Sequence, residues 1–428
     1  MKTNQAANNT QSILKAVLKD GTLLEAVLDD DIRTTKLIVA KDKKYQLVDS
    51  YTDPISGLVY LPMQDEDILK GHVKIPILSE IRELPNVSDT NELLSEISRY
   101  IHSYADVDKA SEYLSALYCL NTWVYDRYEK VPYLRLYGLK ETGKSRIKKI
   151  LGSICYHTLD IGVGMSTAAL FRSITKYQQG TVLIDEANFL DTSIFTTLVQ
   201  IFNGGYEAGS TVTRCRQSDY EPKNYEVFCP KILANHTIYH EQSFENRMHT
   251  IFTYRTQRDD IPEDLSYTPY KEEANQLQRK LLAFRLHNFF SIDTMKKYDG
   301  IEKYPFRLRE ITLPLLKSAG FDTIPHYVID IMDRYVKFDQ EMVITSPEAM
   351  IIETISTLLT SGVYKPSVSD ITSHVNKINS SDYTPRFIGE KLKLMQVAKS
   401  RKSNGFEVDL TKVNIERLRQ TFRLPTGV

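Results

Sequence analysis

The feature that most constrains the fold is a glycine-rich segment, GLKETGKS at residues 138–145, between an apolar run and a helical pattern. It fits G-x-x-x-x-G-K-[ST], in which backbone N–H groups and a helix start cradle phosphate oxygens. Lys144 is expected to reach the β- and γ-phosphates, and Ser145 to ligate Mg²⁺. The predicted nucleotide contacts are Gly138, Leu139, Lys140, Glu141, Thr142, Gly143, Lys144 and Ser145. Strand, loop and helix in this order predict an α/β fold with a mostly parallel sheet.

Two further strand patterns end in polar side chains. The apolar run at 182–186 ends in Asp185 and Glu186. Asp185 is expected to hold Mg²⁺, and Glu186 is the candidate base that polarises the attacking water. The run at 231–235 ends in Asn235, whose amide would orient water near the γ-phosphate. Together with the loop, these residues predict ATP hydrolysis.

Two arginines downstream are candidates for stabilising transition-state charge. Arg247 could reach the γ-phosphate held by a neighbouring subunit, as an arginine finger does. Arg307 or Arg309 could be a second sensor on a helical lid, and Arg307 is preferred. The alternative for Arg247 is an arginine in a surface salt bridge.

Two basic regions could face DNA. A hairpin predicted just before the Asn235 strand carries Arg214, Arg216 and Lys223. Near the C-terminus, a predicted helix and the hairpin after it carry Arg386, Lys391, Lys393, Arg401 and Lys402. A helix for the major groove and a basic hairpin for the backbone are what duplex binding needs. The alternatives are a merely solvated first hairpin and a protein-binding module at the C-terminus.

Length and composition set the remaining limits. At 428 residues, two or three domains are expected. The net charge of −1 gives no global attraction for a polyanion, so nucleic-acid binding must come from local patches. The four cysteines form no C-x-x-C pair, so we expect no zinc site, no disulfide framework and a cytoplasmic setting. No apolar run approaches the ~20 residues that span a bilayer, so no membrane is expected.

The order of helix, strand and turn patterns along the chain predicts three domains. Residues 1–88 are expected to form a small α+β domain, which begins with a short helix over 11–19. Residues 89–345 are expected to form an ATPase core with N-terminal helices and a helical lid. Residues 346–428 have three helical patterns and then a hairpin around Ser403-Asn404-Gly405, which is the order of a winged helix.

The loop, the acidic strand, the hairpin before Asn235, and Arg247 together resemble an AAA+ ATPase. The position of the hairpin is similar to that in the pre-sensor-1 hairpin superclade, which includes the MCM replicative helicases. Residues 131–137 (VPYLRLY) and 202–206 (FNGGY) resemble MCM-like self-loading helicases and replication initiators of bacterial mobile elements, such as staphylococcal pathogenicity islands and cassettes. The resemblance covers residues 95–340, and 346–428 in outline.

This resemblance implies an AAA+ core, a homohexameric ring that moves on single-stranded DNA, an Arg247 acting on the neighbouring subunit, and a winged helix on duplex DNA. It implies no role for residues 1–88, because cellular MCM proteins carry a zinc-bearing domain there and this chain lacks the cysteines. We therefore expect an ATP-driven DNA helicase. The alternatives are a remodelling or regulatory ATPase with a protein partner, and a DNA-binding regulator that uses ATP as an assembly switch.

Overall fold

The computed structural model describes residues 9–29, 31–77, 84–85, 87, 89–161, 166–185, 192–215, 221–236, 242–266, 268–379, 381–402, 405–422 and 424. The chain divides into two compact units, Met1–Ile331 and Met332–Val428. Helices and both parallel and antiparallel strands are present, so the predicted α/β class is confirmed. The three domain bounds given above stay predictions.

The first unit begins with two small sheets. The elements in chain order are β1 (Thr10–Ile13), β2 (Lys15–Val17), β3 (Leu23–Asp29), β4 (Thr34–Lys41), β5 (Lys44–Val48), β6 (Tyr51–Thr52), β7 (Val59–Pro62), α1 (Glu66–Leu69) and β8 (Val73–Lys74). β2 to β5 form an antiparallel meander, and β1, β7 and β6 form the second sheet. β3 and β4 carry most of the buried residues and so form the core of this module. We refer to residues 9–77 as the N-terminal module.

The helix predicted over 11–19 is wrong, because β1 and β2 lie there. β1 pairs in parallel with β7, and β2 pairs with β3. Between them, the N–H groups of Leu14 and Lys15 donate to Oε1 of Gln178, at 2.7 and 2.9 Å. These partners are distant in sequence, so long-range pairing overrides the local helical pattern.

A six-stranded central sheet follows. Its elements are α2 (Thr90–Tyr104), α3 (Lys109–Thr122), β9 (Tyr133–Tyr137), α4 (Lys144–Gly152), β10 (Thr158–Ile161), α5 (Thr167–Lys176), β11 (Val182–Ile184), α6 (Thr192–Gly204), β12 (Thr211–Cys215), β13 (Pro222–Glu226), β14 (Lys231–Asn235), α7 (Gln242–Glu245), β15 (Met248–Phe252), α8 (Thr268–Asn288), α9 (Phe306–Ala319) and α10 (His326–Ile344). The strand order is β15-β9-β14-β11-β10-β8. All neighbours are parallel except β8, which pairs antiparallel with β10. The last strand of the N-terminal module thus extends the central sheet.

The sheet is deeply buried. Every residue of β14 is buried, as is typical of parallel strands covered on both faces. α4 packs on β9 and β14, and the Tyr118 hydroxyl of α3 donates to the Lys231 carbonyl at 2.9 Å. α3 is buried almost all round, which is typical of a helix enclosed by other elements.

The second unit contains α10 from Met332 onward, and then α11 (Pro347–Thr360), α12 (Val368–Asn379), α13 (Pro385–Leu394), β16 (Lys399–Lys402), β17 (Gly405–Val408) and α14 (Ile415–Thr421). Ser346 and Thr384 cap α11 and α13, and each precedes a proline at the first helical position. Ile355, Ile371 and Leu392 lie in the core that the helices share with Val408 of β17. Among the helices of the described ranges, none is long and apolar enough to cross a membrane.

Candidate functional site

The glycine loop, Asp185 and Asn235 meet at the carboxyl ends of three strands of the central sheet. They follow the carboxyl ends of β9, β11 and β14, which lie side by side as parallel strands. Of the strands that follow β9 in the chain and belong to the central sheet, β10, β11 and β14 lie on one side of it and β15 lies on the other. In open α/β sheets, ligands bind outside the carboxyl ends at such a switch point.

Two glycines of the loop are required for different reasons. A Cβ on Gly138 would lie 2.3 Å from Oγ1 and 2.6 Å from the carbonyl oxygen of Thr253, which follows β15. Gly143 has φ +81°, a conformation that side chains with a Cβ rarely adopt. The loop therefore packs closely on the next strand and turns sharply into α4.

The Lys144 ammonium lies over its own loop. It donates to the carbonyl oxygens of Gly138, at 2.7 Å, and of Leu139. Burial lowers the pKa of Lys144, and the negative charge of Asp185 acts in the opposite direction. A cation is thus held where the loop is expected to receive phosphate oxygens.

The two residues predicted to hold Mg²⁺ face each other. Ser145 Oγ donates to Asp185 Oδ1 at 3.3 Å. A hydroxyl and a carboxylate are oxygen donors of the kind that Mg²⁺ prefers, so the pair fits this ion. Within the described ranges, no cluster of three or more His, Cys, Asp or Glu side chains is placed to hold a metal.

Sequence reasoning missed Lys148, which binds the other oxygen of Asp185. Its Nζ lies 3.3 Å from Asp185 Oδ2 and 3.1 Å from Asp160 Oδ1, and its side chain is 8% exposed. Asp160 belongs to β10, the strand next to β11. The available signal was its spacing: Lys148 lies one helical turn after Lys144 on α4, so both lysines project toward the same edge.

Asn235 lies beside the loop, as its strand position predicted. It is buried, it pairs with Tyr137 across β14 and β9, and its carbonyl accepts the Gly138 N–H at 3.4 Å. Glu186, the predicted base, lies outside the described residues. The structure therefore brings Lys144, Ser145, Asp185 and Asn235 together.

Arg247 lies at the amino ends of the strands, on the side of the sheet opposite to the glycine loop. It directly precedes β15, whose first residue pairs with Tyr133, the first residue of β9. The Arg247 carbonyl accepts the Tyr133 N–H at 3.0 Å. The loop begins only after the fifth residue of β9, roughly 16 Å further along at ~3.3 Å per residue. Arg247 therefore lies too far from its own loop to contact a phosphate bound there.

Arg307 lies close to Arg247. The Arg247 guanidinium donates to Asn203 Oδ1 at 2.5 Å and to the Ser243 carbonyl, and it stacks 5.1 Å from the Tyr206 ring centroid. Burial lowers the pKa of Arg247, and the positive charge of Arg307 lowers it further. Arg307 itself donates to Glu310 at 2.6 Å. The structure thus places both predicted arginines together, away from the loop of the same chain.

Arg135 is a second residue that sequence reasoning missed. It is buried in β9, and its Nη1 lies 2.6 Å from both carboxylate oxygens of Glu245 in α7. Glu245 precedes Arg247 by two residues, so this ion pair fixes the segment that carries Arg247. A charged residue inside an apolar strand was the available signal, because buried charges are almost always paired.

The predicted hairpin is β12 and β13. Arg214 and Lys223 lie directly opposite each other across the two strands. The Arg214 guanidinium lies 5.8 Å from the Phe171 ring centroid of α5. Like charges in this position are destabilising unless an anion lies nearby. Arg216 lies outside the described residues.

The basic residues of the second unit fall into two groups. Arg386, Lys393, Arg401 and Lys402 are exposed. Lys391 instead faces α11, where its Nζ lies 2.7 Å from Glu348 Oε1 and both side chains are largely buried. The structure therefore separates Lys391 from the exposed set and gives it a packing role.

Comparison with known proteins found similarity among solved structures. No family model matches this chain, and no curated protein matches it. Two solved structures of the NrS-1 C-terminal region (305–718), both described as apo, are similar over 90% of this chain and 96% of theirs. Each is 11% identical, and the TM-scores are 0.37 and 0.34. At these TM-scores the similarity defines neither the fold nor the function of this chain.

Proposed function

We propose that this chain is an AAA+ ATPase that moves on DNA, a helicase of the replicative or initiator type. The observation that carries the proposal is the meeting of Lys144, Ser145 and Asp185 at the carboxyl edge of the sheet, with 3.3 Å between the hydroxyl and the carboxylate. A phosphate loop alone fits nucleotide binding. The Asp185 carboxylate lies beside the Ser145 hydroxyl, and Asn235 is on β14, the strand between β9 and β11. This arrangement fits hydrolysis.

Each residue has a role in this proposal. The loop N–H groups and Lys144 bind the phosphates. Ser145 and Asp185 hold Mg²⁺, which neutralises phosphate charge when bound. Glu186 accepts the proton of the attacking water, and Asn235 orients that water.

The proposed assembly is a homohexameric ring in which each site is shared between subunits. The distance of Arg247 and Arg307 from their own loop supports this arrangement, because the two cations can then meet only a phosphate bound by another copy. A head-to-tail interface that repeats around a closed ring places one edge of each subunit against the opposite edge of the next. In this ring, both arginines stabilise the charge on the neighbour's γ-phosphate.

DNA is the proposed substrate because two separate basic surfaces are present. Arg214 and Lys223 form a like-charged pair on the β12–β13 hairpin, which a backbone phosphate would relieve. The second unit, proposed to be a winged helix, exposes Arg386 and Lys393 on its third helix and Arg401 and Lys402 on the following hairpin. The hairpin would grip single-stranded DNA in the ring, and the second unit would bind duplex.

Strand displacement on forked DNA tests the proposal most directly. Wild-type protein should separate a labelled fork with ATP and Mg²⁺, and DNA should stimulate its ATPase activity. Lys144→Ala should do neither, because the cation that reaches the phosphates is lost. Lys149→Ala, at an exposed position of the helix that follows the loop, is a matched control.

Other outcomes would favour other functions. ATP turnover that DNA does not stimulate, without strand separation, would favour a remodelling ATPase with a protein partner. An assembly switch would be favoured by three results together. DNA binding would require ATP, the Glu186→Gln variant would retain that binding, and the wild-type protein would show neither turnover nor unwinding. Absence of nucleotide binding by the wild-type protein would overturn the proposal.

A further inference from the structure

A four-residue turn at the C-terminal end of α5 lies between the N-terminal module and the β12–β13 hairpin. It consists of Lys176, Tyr177, Gln178 and Gln179, and we call it the 176–179 turn. Gln178 and Gln179 have φ +51° and +58°. Two successive non-glycine residues in this left-handed region are strained, and such strain persists only where surrounding contacts hold it.

One side of the turn binds the N-terminal module through three consecutive side chains. Gln178 accepts the N–H groups of Leu14 and Lys15. The Tyr177 hydroxyl lies 2.5 Å from an Asp67 carboxylate oxygen and 3.0 Å from one of Asp65, and the two carboxylates share its one proton. Lys176 forms an ion pair with Asp65 at 2.8 Å. These contacts reach two parts of the module that are far apart in sequence, the start of β2 and the start of α1.

The other side of the turn and the end of α5 bind the base of the hairpin. Gln179 Nε2 donates to the Glu226 carboxylate at 2.9 Å, and Thr175 Oγ1 donates to the Glu226 carbonyl at 2.9 Å. Phe171 of α5 packs against Tyr225, with 4.6 Å between ring centroids. Glu226 is the last residue of β13 and pairs with Thr211, the first residue of β12, so the contacts fix the hairpin at its base.

We propose that the 176–179 turn couples the N-terminal module to the hairpin, so that the module holds the hairpin in its working position. The inference rests on the proposed function, in which the hairpin grips DNA. Gln179 and Tyr177 are then positioning residues, which act on DNA through the hairpin. The N-terminal module gains a role that needs no DNA contact of its own: it is a fixed support for the hairpin.

A double-mutant cycle tests the contact with the hairpin. Gln179→Glu places two carboxylates opposite each other and should free the hairpin, whereas Glu226→Gln alone keeps an amide that can still accept the bond. The double variant reverses the donor and acceptor and should restore the contact. Hydrogen exchange of the β12 and β13 amides should be roughly fivefold faster in Gln179→Glu, the effect of about one lost hydrogen bond, and should return in the double variant.

A variant on the side of the turn that faces the N-terminal module tests the coupling itself. Tyr177→Phe removes the hydrogen bonds to Asp65 and Asp67 and keeps the ring, so the change lies on the module side of the turn. It should also accelerate exchange in β12 and β13, whereas Lys149→Met on the exposed face of α4 should not. Exchange that accelerates only in residues 63–69 would overturn the coupling. A Gln179→Glu protein with wild-type exchange, or a double variant that restores nothing, would overturn the hairpin contact.

Enzymatic readouts separate this inference from the proposed function. In a protein with DNA-stimulated ATPase activity, Gln179→Glu and Tyr177→Phe should weaken single-stranded DNA binding and lower the stimulation severalfold, with basal turnover unchanged. A wild-type protein that is never stimulated by DNA contradicts the proposed function. The exchange measurements still test the coupling in that case, because they require neither ATP nor DNA.

Discussion

The Asp185 carboxylate is divided between two partners. Oδ1 faces the Ser145 hydroxyl and Oδ2 faces Lys148, at 3.3 Å in both cases. Lys148 also binds Asp160, so one nearly buried cation stands between two carboxylates on neighbouring strands. Removal of a cation in this position leaves two negative charges near each other, one of them on the largely buried Asp185.

Lys148→Met should therefore destabilise the nucleotide-free protein. The methionine keeps the apolar stem but leaves Asp160 and Asp185 without their shared partner, which should lower the thermal midpoint by about 2–4 °C. The estimate is modest because Asp160 is half exposed and water screens its charge. Lys149→Met, at an exposed position of the same helix, is the control. Equal midpoints for the two variants would contradict a structural role for Lys148.

His249 predicts how stability depends on pH. It is buried in β15, its Nε2 lies 3.2 Å from the Ile311 carbonyl, and burial lowers its pKa from 6.5 to about 4. Between these values the unfolded chain binds a proton that the folded chain does not, so stability should fall as the pH decreases from 6.5 to 4. The loss should reach about 3 kcal/mol.

His249→Gln removes this titration and can still donate to Ile311. Urea unfolding at several pH values should therefore show a shallower decline for the variant than for the wild type. Burial also lowers the pKa of His157, so part of the decline should remain. Identical pH profiles would exclude His249 as a source of the acid sensitivity.

At the scale of elements, α13 and the β16–β17 hairpin divide their basic residues between solvent and core. Neutralising Arg386, Lys393, Arg401 and Lys402 together should weaken duplex binding and flatten its salt dependence. Each lost phosphate contact should reduce the log–log slope by ~0.9. The measurement is duplex affinity across a salt series.

Lys391→Ala provides the matched comparison. Because Lys391 binds Glu348 between α13 and α11, its loss should lower stability and leave the salt slope unchanged. A salt slope that falls by about one unit in Lys391→Ala would place this residue on the DNA surface after all.

The sequence predicted best the elements whose pattern is local. The strand at 231–235 has the predicted bounds, because a buried apolar run specifies it. The 11–19 segment failed because its strands depend on β7 and β3. The place of β8 in the central sheet depends in the same way on β10, a partner far along the chain.

The residues of the candidate site also divide into those that a local pattern indicates and those that depend on distant partners. Lys144, Ser145 and Asp185 were predictable because their spacing to a strand end is local, and parallel strands then bring those ends together. Lys148 and Arg135 each had a local signal for their own position. Their partners, Asp160 and Glu245, lie on another strand and another helix, and no local spacing indicates them. The edge on which Arg247 and Arg307 meet was also not given by spacing, since it depends on the register of β15 against β9.

The two ends of the parallel strands carry complementary halves of the proposed catalytic site. The loop and Asp185 lie at the carboxyl edge, and Arg247 and Arg307 lie at the amino edge. A single chain cannot bring these halves together, because five residues of β9 separate them. Activity should therefore require contact between copies, and it should depend on protein concentration below the assembly threshold.

Mixing two inactive variants tests this requirement. Arg247→Ala has an intact loop, and Lys144→Ala has an intact arginine, so an interface between them can contain one complete site. With random exchange at equal amounts, about a quarter of the interfaces of a head-to-tail ring should be complete. ATPase activity should therefore rise to about a quarter of the wild-type value, with subunit exchange checked by labelled protein. Mixing Lys144→Ala with the Lys144→Ala/Arg247→Ala double variant is the control, since no interface then has an intact loop. No rescue after demonstrated exchange would mean that Arg247 serves only to hold Asn203 and α7 in place.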